Sequence, residues 1–186
     1  MKTTLITALL VFSILSFSIA QLKVGDMAPR FSTKDDADKT WNSTDYIGNK
    51  ILVIYFYPAA MTGGCTKQAC AFRDDKAKFD GLDAVVVGIS GDEVENLKYF
   101  KEAHNLNFPL LADPDGAIAK KFGVQMKDGG SIVRNIGGQD VTLERGVTTS
   151  RWTFIIDKSG RIAFKNTEVD AAEDSRQTIE AIKSLK

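Results

Sequence analysis

The sequence predicts an α/β fold in which helices flank a mixed central sheet, and three observations support this class. Two seven-residue segments, 51–57 and 84–90, are almost entirely apolar and rich in β-branched residues, as is typical of strands buried on both faces of a parallel sheet. Apolar residues recur at helical spacing after each segment. A strand–turn–strand pattern over 151–164 adds antiparallel neighbours, so we expect the sheet to be mixed.

The remaining elements follow from local spacing and from turn residues. Apolar residues at every third position from Val94 to Ala103 predict a helix, with Ser90 and Glu93 at capping-box spacing before it. The segment 113–116 is a turn sequence. We also expect a helix after Cys65 on residues 69, 72, 76 and 79, a short strand at 108–111, a short helix that ends at Gly123, and an amphipathic helix over 171–185.

Residues 124–150 do not fit this alternation. They contain Gly-Gly pairs at 129–130 and 137–138 and show only weak periodicity. We therefore expect a long irregular insert, in which residues 132–133 and 140–143 have the composition of a small hairpin. Inserts of this kind are often functional or mobile, and a plain surface excursion is an equally good interpretation.

Composition and charge argue against several classes of function. The 186 residues include 24 Lys and Arg against 24 Asp and Glu, so the formal net charge is zero, which does not suit a protein that neutralises nucleic-acid phosphates. The 44% hydrophobic and 26% charged content is that of an ordinary folded protein. Two cysteines and one histidine argue against a disulfide scaffold, a His-rich metal site and a conventional Ser-His-Asp triad.

The first twenty residues have the layout of a secretory signal peptide. Lys2 precedes an apolar stretch over 5–20, which is 16 residues long and ends in the small-x-small pattern Ser18-Ile19-Ala20. A bilayer-spanning helix needs roughly 20 apolar residues, so we favour a cleaved signal over the alternative, an uncleaved anchor. Residues 1–20 are then removed, and residues 21–186 form one domain without stable membrane insertion. The protein is predicted to be exported, to the periplasm or outside the cell, into an oxidising compartment.

The residues that carry chemistry follow the first buried strand. Pro58 ends that strand, the Gly63-Gly64 pair makes a tight loop, and a helix is expected to begin at about Cys65. A thiol in the first turn of a helix faces unpaired backbone N–H groups and the positive end of the helix dipole, both of which favour the thiolate. Thr62 can place a hydroxyl beside the sulfur. This segment is therefore predicted to hold a reactive cysteine.

Cys70 follows Cys65 by five residues, and this spacing limits how the two can pair. On a regular helix, residues five apart have Cα atoms roughly 8.6 Å from each other. A disulfide needs Cα atoms within about 6.8 Å, so the pair can bond only if the first turns of the helix unwind. A transient disulfide formed after oxidation of Cys65 fits this geometry. Two alternatives stay open, a static structural disulfide and a Cys70 that is merely a buried core residue.

Eight short motifs lie along residues 22–186, and together they carry a family resemblance. They are Tyr55-Phe-Tyr-Pro58, Met61-Thr62-x-Gly64-Cys65-Thr66, Gln68-Ala69-Cys70, Phe72-Arg73-Asp74, Gly88-Ile-Ser90, Phe108-Pro-Leu-Leu-x-Asp113, Phe122-Gly-Val124 and Arg151-x-Thr-Phe-Ile-Ile-Asp157. The sequence resembles the peroxiredoxins of the AhpC/TSA superfamily, and most closely their Q-type subgroup, also called bacterioferritin comigratory protein.

This resemblance implies a thioredoxin-like fold with an N-terminal extension. It also implies a thiol peroxidase that reduces hydrogen peroxide and organic hydroperoxides without a metal or organic cofactor. By the family's pattern Cys65 would be the peroxidatic nucleophile, which becomes a sulfenic acid, and Cys70 would be the resolving cysteine. Thr62 would hydrogen-bond the peroxide and the thiolate, while Pro58 would shield the pocket from water. Arg151, which precedes the Thr-Phe-Ile-Ile-Asp strand, would stabilise the thiolate and polarise the peroxide.

The same resemblance implies partners. These are a hydroperoxide substrate and a thioredoxin-like or other dithiol reductant, and we expect no nucleic acid because the net charge is zero. Members of the subgroup are often monomers, so we expect a monomer. The chain departs from the family's pattern at Gly63, where proline is usual, in the length of 124–150, and in its signal peptide. The longer insert leaves Arg134 and Arg145 as further candidates for the family's arginine.

Two other classes of function fit some of these residues. An exported thioredoxin-fold thiol-disulfide oxidoreductase would also use cysteines at a helix start, but that class has two residues between them and here there are four. A non-catalytic secreted binding module would use the cysteines only structurally. Rapid oxidation of Cys65 by peroxide would separate the peroxidase from both.

Overall fold

Strands alternate with helical segments over residues 51–121, and four consecutive strands then precede the last helix. The computed structural model describes residues 22–185, and the predicted signal peptide, residues 1–20, lies outside the described residues. None of the helices in the described range is long and apolar enough to cross a membrane. In chain order the elements are β1 (Ser32–Lys34), β2 (Thr40–Asn42), β3 (Ile51–Phe56), α1 (Gly63–Asp74), α2 (Lys76–Gly81), β4 (Ala84–Ser90), α3 (Val94–His104), β5 (Leu110–Ala112), α4 (Ala117–Lys121), β6 (Met126–Ile136), β7 (Gln139–Thr149), β8 (Trp152–Ile156), β9 (Ile162–Asn166) and α5 (Asp174–Ser184).

A five-stranded mixed sheet forms the centre of the molecule, in the order β5-β4-β3-β8-β9. β3, β4 and β5 are parallel to one another, whereas β8 and β9 run antiparallel to their neighbours. The predicted α/β class with a mixed sheet is therefore confirmed. β3 and β4 are buried along nearly their whole length, because other elements cover both faces of the sheet.

Side chains of β3 alternate between two apolar cores, one on each face of the sheet. Tyr55 packs in the core that includes residues of α1, α2, α3 and α5, where its ring stacks on Phe72 with the centroids 4.8 Å apart. Phe56 packs in the other core, which includes residues of α4 and of the chain before β3. The end of β3 is thus held from both sides, and this fixes the start of the loop that leads to Cys65.

Two helical details differ from the prediction. The pattern after Cys65 is divided between α1 and α2, with Asp75 closing the first helix and opening the second. The expected capping box before α3 does not form. Ser90 is the last residue of β4 and its hydroxyl donates to Asp92 Oδ2 at 2.8 Å, while Glu93 caps α3 without a side-chain hydrogen bond.

Residues 124–150 form a regular hairpin, so the expectation of an irregular insert is wrong. β6 and β7 are 11 residues each and pair in antiparallel register over most of their length. Gly137 and Gly138 have φ of 61° and 87°, the left-handed values that a two-residue hairpin turn of type I′ requires at both positions. The expected small hairpin is the outer part of this longer one.

One face of the β6–β7 hairpin packs against the rest of the molecule. Leu143 is fully buried, and the Gly146 N–H donates to the Gly91 carbonyl at 3.0 Å. A Cβ on Gly91 would lie 2.1 Å from the Val147 carbonyl oxygen, so glycine is required for this close approach. β7 therefore lies against the chain between β4 and α3, on the side of the sheet edge where the Cys65 loop begins.

Candidate active site

Cys65 occupies the first turn of α1. The first helical hydrogen bond runs from the Thr66 N–H to the Thr62 carbonyl at 2.8 Å, so the N–H groups of residues 63–65 have no acceptor within the helix. These groups form the positive end of the helix dipole, which favours an anionic sulfur. Cys65 is 2% exposed and packs in the core beneath α1, so the thiol is largely shielded from solvent.

Arg151 reaches the Cys65 sulfur from the neighbouring strand. Because Trp152 of β8 pairs with Phe56 of β3 in antiparallel register, the residue before β8 lies beside the chain that leaves β3. From there Arg151 Nη2 donates to Cys65 Sγ at 3.4 Å. Arg151 Nη1 donates to the side-chain oxygen of Gln68, so two residues of α1 hold the guanidinium.

Behind Arg151, Gln68 connects the arginine to a buried carboxylate that sequence reasoning missed. Gln68 Nε2 donates to Asp174 Oδ2 at 2.6 Å, and Thr153 Oγ1 donates to the same oxygen at 2.8 Å. Burial raises the pKa of Asp174, while its contacts with Gln68, Thr153 and Arg151 lower it. A signal for Gln68 was available, because a residue three after Cys65 lies on the same face of a helix. No local signal marks Asp174, which meets Gln68 across a sequence separation of 106.

Asp174 gives a prediction on stability. Replacing Asp174 by alanine is expected to lower the free energy of unfolding by about 1–3 kcal/mol, because the buried donors of Gln68 and Thr153 lose their acceptor. Replacing it by asparagine keeps an acceptor oxygen and removes the buried charge. The pKa of Asp174 in the folded protein is raised above its unfolded value. The free energy of unfolding of the native protein therefore falls as the pH rises from 3.8 through the folded pKa.

The Asp174→Asn variant is therefore expected to gain stability relative to the native protein over that same rise in pH. Urea unfolding of the three proteins at about pH 4 and about pH 7 measures both effects. An asparagine variant that is as destabilised as the alanine variant at both pH values would contradict this account of the network.

The side chains around Cys65 offer hydrogen-bond donors rather than metal ligands. Arg151 donates to the Cys65 sulfur, Gln68 accepts from Arg151, and Asp174 accepts from Gln68. Among residues 22–185, no group of three or more His, Cys, Asp or Glu side chains is arranged to hold a metal ion. The chemistry that this arrangement suits is nucleophilic attack by sulfur, with a guanidinium to stabilise negative charge.

The loop between β3 and α1 is tied down by side chains from three other parts of the chain. Each of them bonds a backbone group of the loop, so the position of the Cys65 turn depends on β6, on β7 and on the residues after β4. The bonds are from the Ala60 N–H to Asp92 Oδ2 at 2.8 Å, from Thr149 Oγ1 to the Tyr57 carbonyl at 2.9 Å, and from Arg134 Nε to the Met61 carbonyl at 3.0 Å.

Pro58 and Thr62 both lie in this loop, near the sulfur in sequence. Pro58 is half-buried and borders a groove of about 440 Å³ between the loop and the base of the β6–β7 hairpin. The Thr62 hydroxyl donates to the Ala59 carbonyl at 2.9 Å. The roles of Pro58 and Thr62 toward a bound peroxide stay predictions.

The three candidate arginines lie in different places. Arg151 contacts Cys65, as described above, whereas Arg134 bonds the loop backbone at Met61. Arg145 Nε donates to the Thr148 hydroxyl within β7 at 3.1 Å. The geometry therefore favours Arg151 for the role that the family resemblance implies.

Cys70 lies in the same unbroken helix as Cys65, and both cysteines are free. The two cannot bond while α1 is intact, as their spacing predicts. Cys70 is half-buried rather than enclosed in the core. A static disulfide between the two cysteines is incompatible with this helix, whereas a transient disulfide requires its first turns to open.

Comparisons with known sequences agree with this site. The profile of the AhpC/TSA family matches residues 24–165. The chain is 37% identical to Peroxiredoxin Bcp of Bacillus subtilis over 164 residues, which cover 88% of this chain and 97% of that protein. It is 50% identical to Peroxiredoxin Bcp of Escherichia coli over 105 residues, which cover 55% of this chain and 65% of that protein.

Solved structures of similar proteins share the fold. Peroxidoxin BcpB from Mycobacterium tuberculosis superposes with a TM-score of 0.74 at 29% identity, covering 89% of this chain and 99% of that one. Peroxiredoxin Q from Xanthomonas campestris superposes with a TM-score of 0.67 at 27% identity, covering 83% of this chain and 90% of that one. These neighbours have the thioredoxin-like fold, so the predicted thioredoxin-like class is confirmed.

Proposed function

Because the chain belongs to the AhpC/TSA family, we propose that it is a thiol peroxidase whose nucleophile is Cys65. Its substrates are hydrogen peroxide and organic hydroperoxides. The observation that carries the proposal is the hydrogen bond of 3.4 Å from Arg151 Nη2 to Cys65 Sγ at the start of α1. The guanidinium and the helix N-terminus bring two sources of positive potential to one sulfur, which is the environment that activates a thiolate nucleophile.

In the first step the Cys65 thiolate attacks one oxygen of the hydroperoxide, and the O–O bond breaks. The sulfur loses two electrons and becomes a sulfenic acid, while the leaving oxygen takes up a proton and departs as an alcohol or as water. Arg151 stabilises negative charge on the sulfur and on the departing oxygen, and the Cys65 N–H donates toward the developing charge. Thr62 orients the peroxide, and Pro58 keeps water from the pocket.

In the second step the Cys70 thiol condenses with the sulfenic acid, forming a Cys65–Cys70 disulfide and releasing water. We expect α1 to open from its N-terminal end, because its C-terminal end is hydrogen-bonded to the end of α3 and the residues that follow it. Arg73 Nη1 donates to the His104 carbonyl at 2.6 Å, and Asn107 Nδ2 donates to the Arg73 carbonyl at 3.1 Å. A thioredoxin-like dithiol then exchanges with the disulfide and restores both thiols.

Replacing Cys70 by serine is expected to preserve the first oxidation and to stop turnover after one equivalent of peroxide. The sulfenic acid then has no thiol to condense with, so it persists and can be trapped by dimedone. Intact mass after one equivalent of hydrogen peroxide measures the adduct, and Cys65→Ser is the matched control that should give none. Full turnover of Cys70→Ser with thioredoxin would remove Cys70 from the mechanism, and a Cys70→Ser protein that forms no sulfenic acid would contradict the peroxidase proposal.

We further propose that the protein acts outside the cytoplasm and as a monomer. The signal-like sequence of residues 1–20 supports export, and the reductant is then a periplasmic or extracellular dithiol. N-terminal sequencing of the exported protein and light scattering of the purified protein test these two points. The monomer is supported by the surface of the described residues, where the exposed large apolar side chains lie near the start of that range and along β6 rather than in one patch. They are Val24, Met27, Met126 and Val133.

A further inference from the structure

The β6–β7 hairpin contacts the loop before Cys65 through an arginine that the peroxidase mechanism does not use. Arg134 lies in β6 and is half-buried. Its Nε donates to the Met61 carbonyl at 3.0 Å, and its Nη1 donates to the Val133 carbonyl at 2.9 Å. The second bond holds the guanidinium against its own strand, so the first bond ties the loop to the hairpin.

The β6–β7 hairpin is itself held in place by contacts with the rest of the molecule. Leu143 of β7 is fully buried, and the Gly146 N–H bonds the Gly91 carbonyl at 3.0 Å. Asn96 of α3 also donates its side-chain N–H to the Glu144 carbonyl. None of these contacts involves α1, so unwinding of its first turns leaves the hairpin in place.

Met61 is a strained position in the loop. Its φ is 58°, in the left-handed region that non-glycine residues disfavour. A residue persists in such a conformation only when its surroundings hold it. The Met61 carbonyl is held by Arg134, and the preceding Ala60 N–H is held by Asp92. Loss of the Arg134 bond would therefore remove one of these two restraints, the one nearer to the Cys65 turn.

We propose that Arg134 is a positioning residue that holds the loop in its peroxide-reactive conformation and must release Met61 before Cys65 can reach Cys70. This inference rests on the proposed function, because it concerns the resolving step. The Cys65 sulfenic acid has two fates. Condensation with the Cys70 thiol gives the disulfide and water, whereas a second hydroperoxide oxidises the same sulfur to sulfinic acid and leaves as the alcohol or as water.

The two fates compete, and Arg134 acts on only one of them. The bond to Met61 stabilises the folded loop, so it slows disulfide formation and leaves the sulfenic acid exposed to further peroxide for longer. Arg134 thereby lowers the peroxide concentration at which the enzyme inactivates itself. Removing it is expected to shift the partition toward the disulfide.

The test compares resolution and overoxidation in full-length mature protein. In Arg134→Ala, disulfide formation after one equivalent of hydrogen peroxide is expected to be about 10- to 100-fold faster, the effect of losing one hydrogen bond to a charged group. The peroxide concentration that converts half of Cys65 to sulfinic acid rises by the same factor, while the first oxidation does not become faster. Arg134→Lys keeps a cationic N–H donor and should fall between the alanine variant and the parent.

Two control variants separate the Met61 contact from general weakening of the protein. Asn135→Ala removes a side chain that bonds Asp140 within the hairpin at 2.9 Å, without touching the loop. Arg161→Ala removes an arginine that bonds the Gly25 carbonyl at 2.8 Å, far from Cys65 in the fold. Both should resolve at the rate of the parent. Hydrogen exchange of the reduced proteins gives a second readout, since the amides of residues 60–66 should exchange faster in Arg134→Ala and at the parent's rate in both controls.

The outcomes distinguish this inference from the proposed function. If the parent forms no Cys65–Cys70 disulfide with peroxide, this inference and the resolving step of the proposed function both fail, and if Cys65 is not oxidised at all, the peroxidase proposal fails as well. If the parent forms it and Arg134→Ala resolves no faster, or Asn135→Ala accelerates it equally, only the role of Arg134 is overturned. Should Arg134→Ala fail to fold, Arg134→Lys decides, because unchanged resolution and unchanged exchange in that variant would also overturn the role.

Discussion

Replacing Cys65 by serine is expected to abolish peroxide reduction. A serine hydroxyl stays protonated at neutral pH and cannot form a sulfenic acid, so the first step has no nucleophile. The rate of peroxide consumption with thioredoxin, thioredoxin reductase and NADPH should fall to that of the mixture without enzyme. Since serine is close to cysteine in size, the 2% exposed site should keep its packing, and the circular dichroism spectrum should be unchanged.

The matched control for this prediction is Cys70→Ser, which lacks a cysteine five residues away in the same helix. It should lose steady turnover with the dithiol reductant but keep a single rapid oxidation. If Cys65→Ser were oxidised by peroxide as fast as the parent, the reactive group would be elsewhere and the mechanism would be wrong.

Replacing Arg151 by alanine has the second largest expected effect. The guanidinium is the cationic side chain bonded to Cys65 Sγ, and its position is fixed by Gln68. Loss of one such donor to a developing charge typically costs about 10² to 10³-fold in rate. We expect the second-order rate constant for oxidation of Cys65 by hydrogen peroxide to fall by about that factor.

Stopped-flow fluorescence can measure this rate constant, because the buried Trp152 follows Arg151 directly. Arg151→Lys keeps the charge but cannot bond Gln68 and the sulfur together, so it should recover only part of the loss. Arg161→Ala is the control for removal of an arginine from the surface and should react like the parent. An Arg151→Ala protein that reacts within a few-fold of the parent would show that the helix N-terminus alone activates the thiol.

The central sheet could be predicted from the sequence because its strands carry their signal locally. Segments 51–57 and 84–90 are almost entirely apolar and rich in β-branched residues, which is typical of strands buried on both faces. The start of α1 could also be predicted locally, because Pro58 ends the apolar segment 51–57 and a Gly-Gly pair follows before Cys65. The sequence alone therefore places Cys65 at a helix N-terminus.

The full length of the β6–β7 hairpin was missed, and only its outer part was expected, because its inward face is not a simple apolar stripe. Arg134 and Arg145 occupy half-buried positions on it, and the glycines that allow close packing read as loop residues. Alternation was present at Val141, Leu143 and Val147, but it was short and interrupted by Arg145. The pattern of a strand that packs through glycines and arginines resembles that of a surface loop.

Spacing reveals only one member of the polar network behind Arg151, because Gln68 lies three residues after Cys65 on the same helix face. Asp174 lies at the start of α5, where an acidic residue is ordinarily explained by the helix dipole. Its partnership with Gln68 and Thr153 depends on how α5 packs beside α1 and β8. Contacts of this length are set by the tertiary fold, and local pattern does not encode them.

The most direct test of the central claim is the product of a single oxidation of the reduced mature protein. One equivalent of hydrogen peroxide is mixed with the protein in a quenched-flow instrument. The remaining thiols are blocked after a series of short reaction times, and intact and peptide masses are measured. The account predicts rapid loss of two hydrogens, no blocked thiol, and a peptide pair joined through Cys65 and Cys70. Two blocked thiols, with oxidation no faster than that of a free cysteine by peroxide, would contradict it.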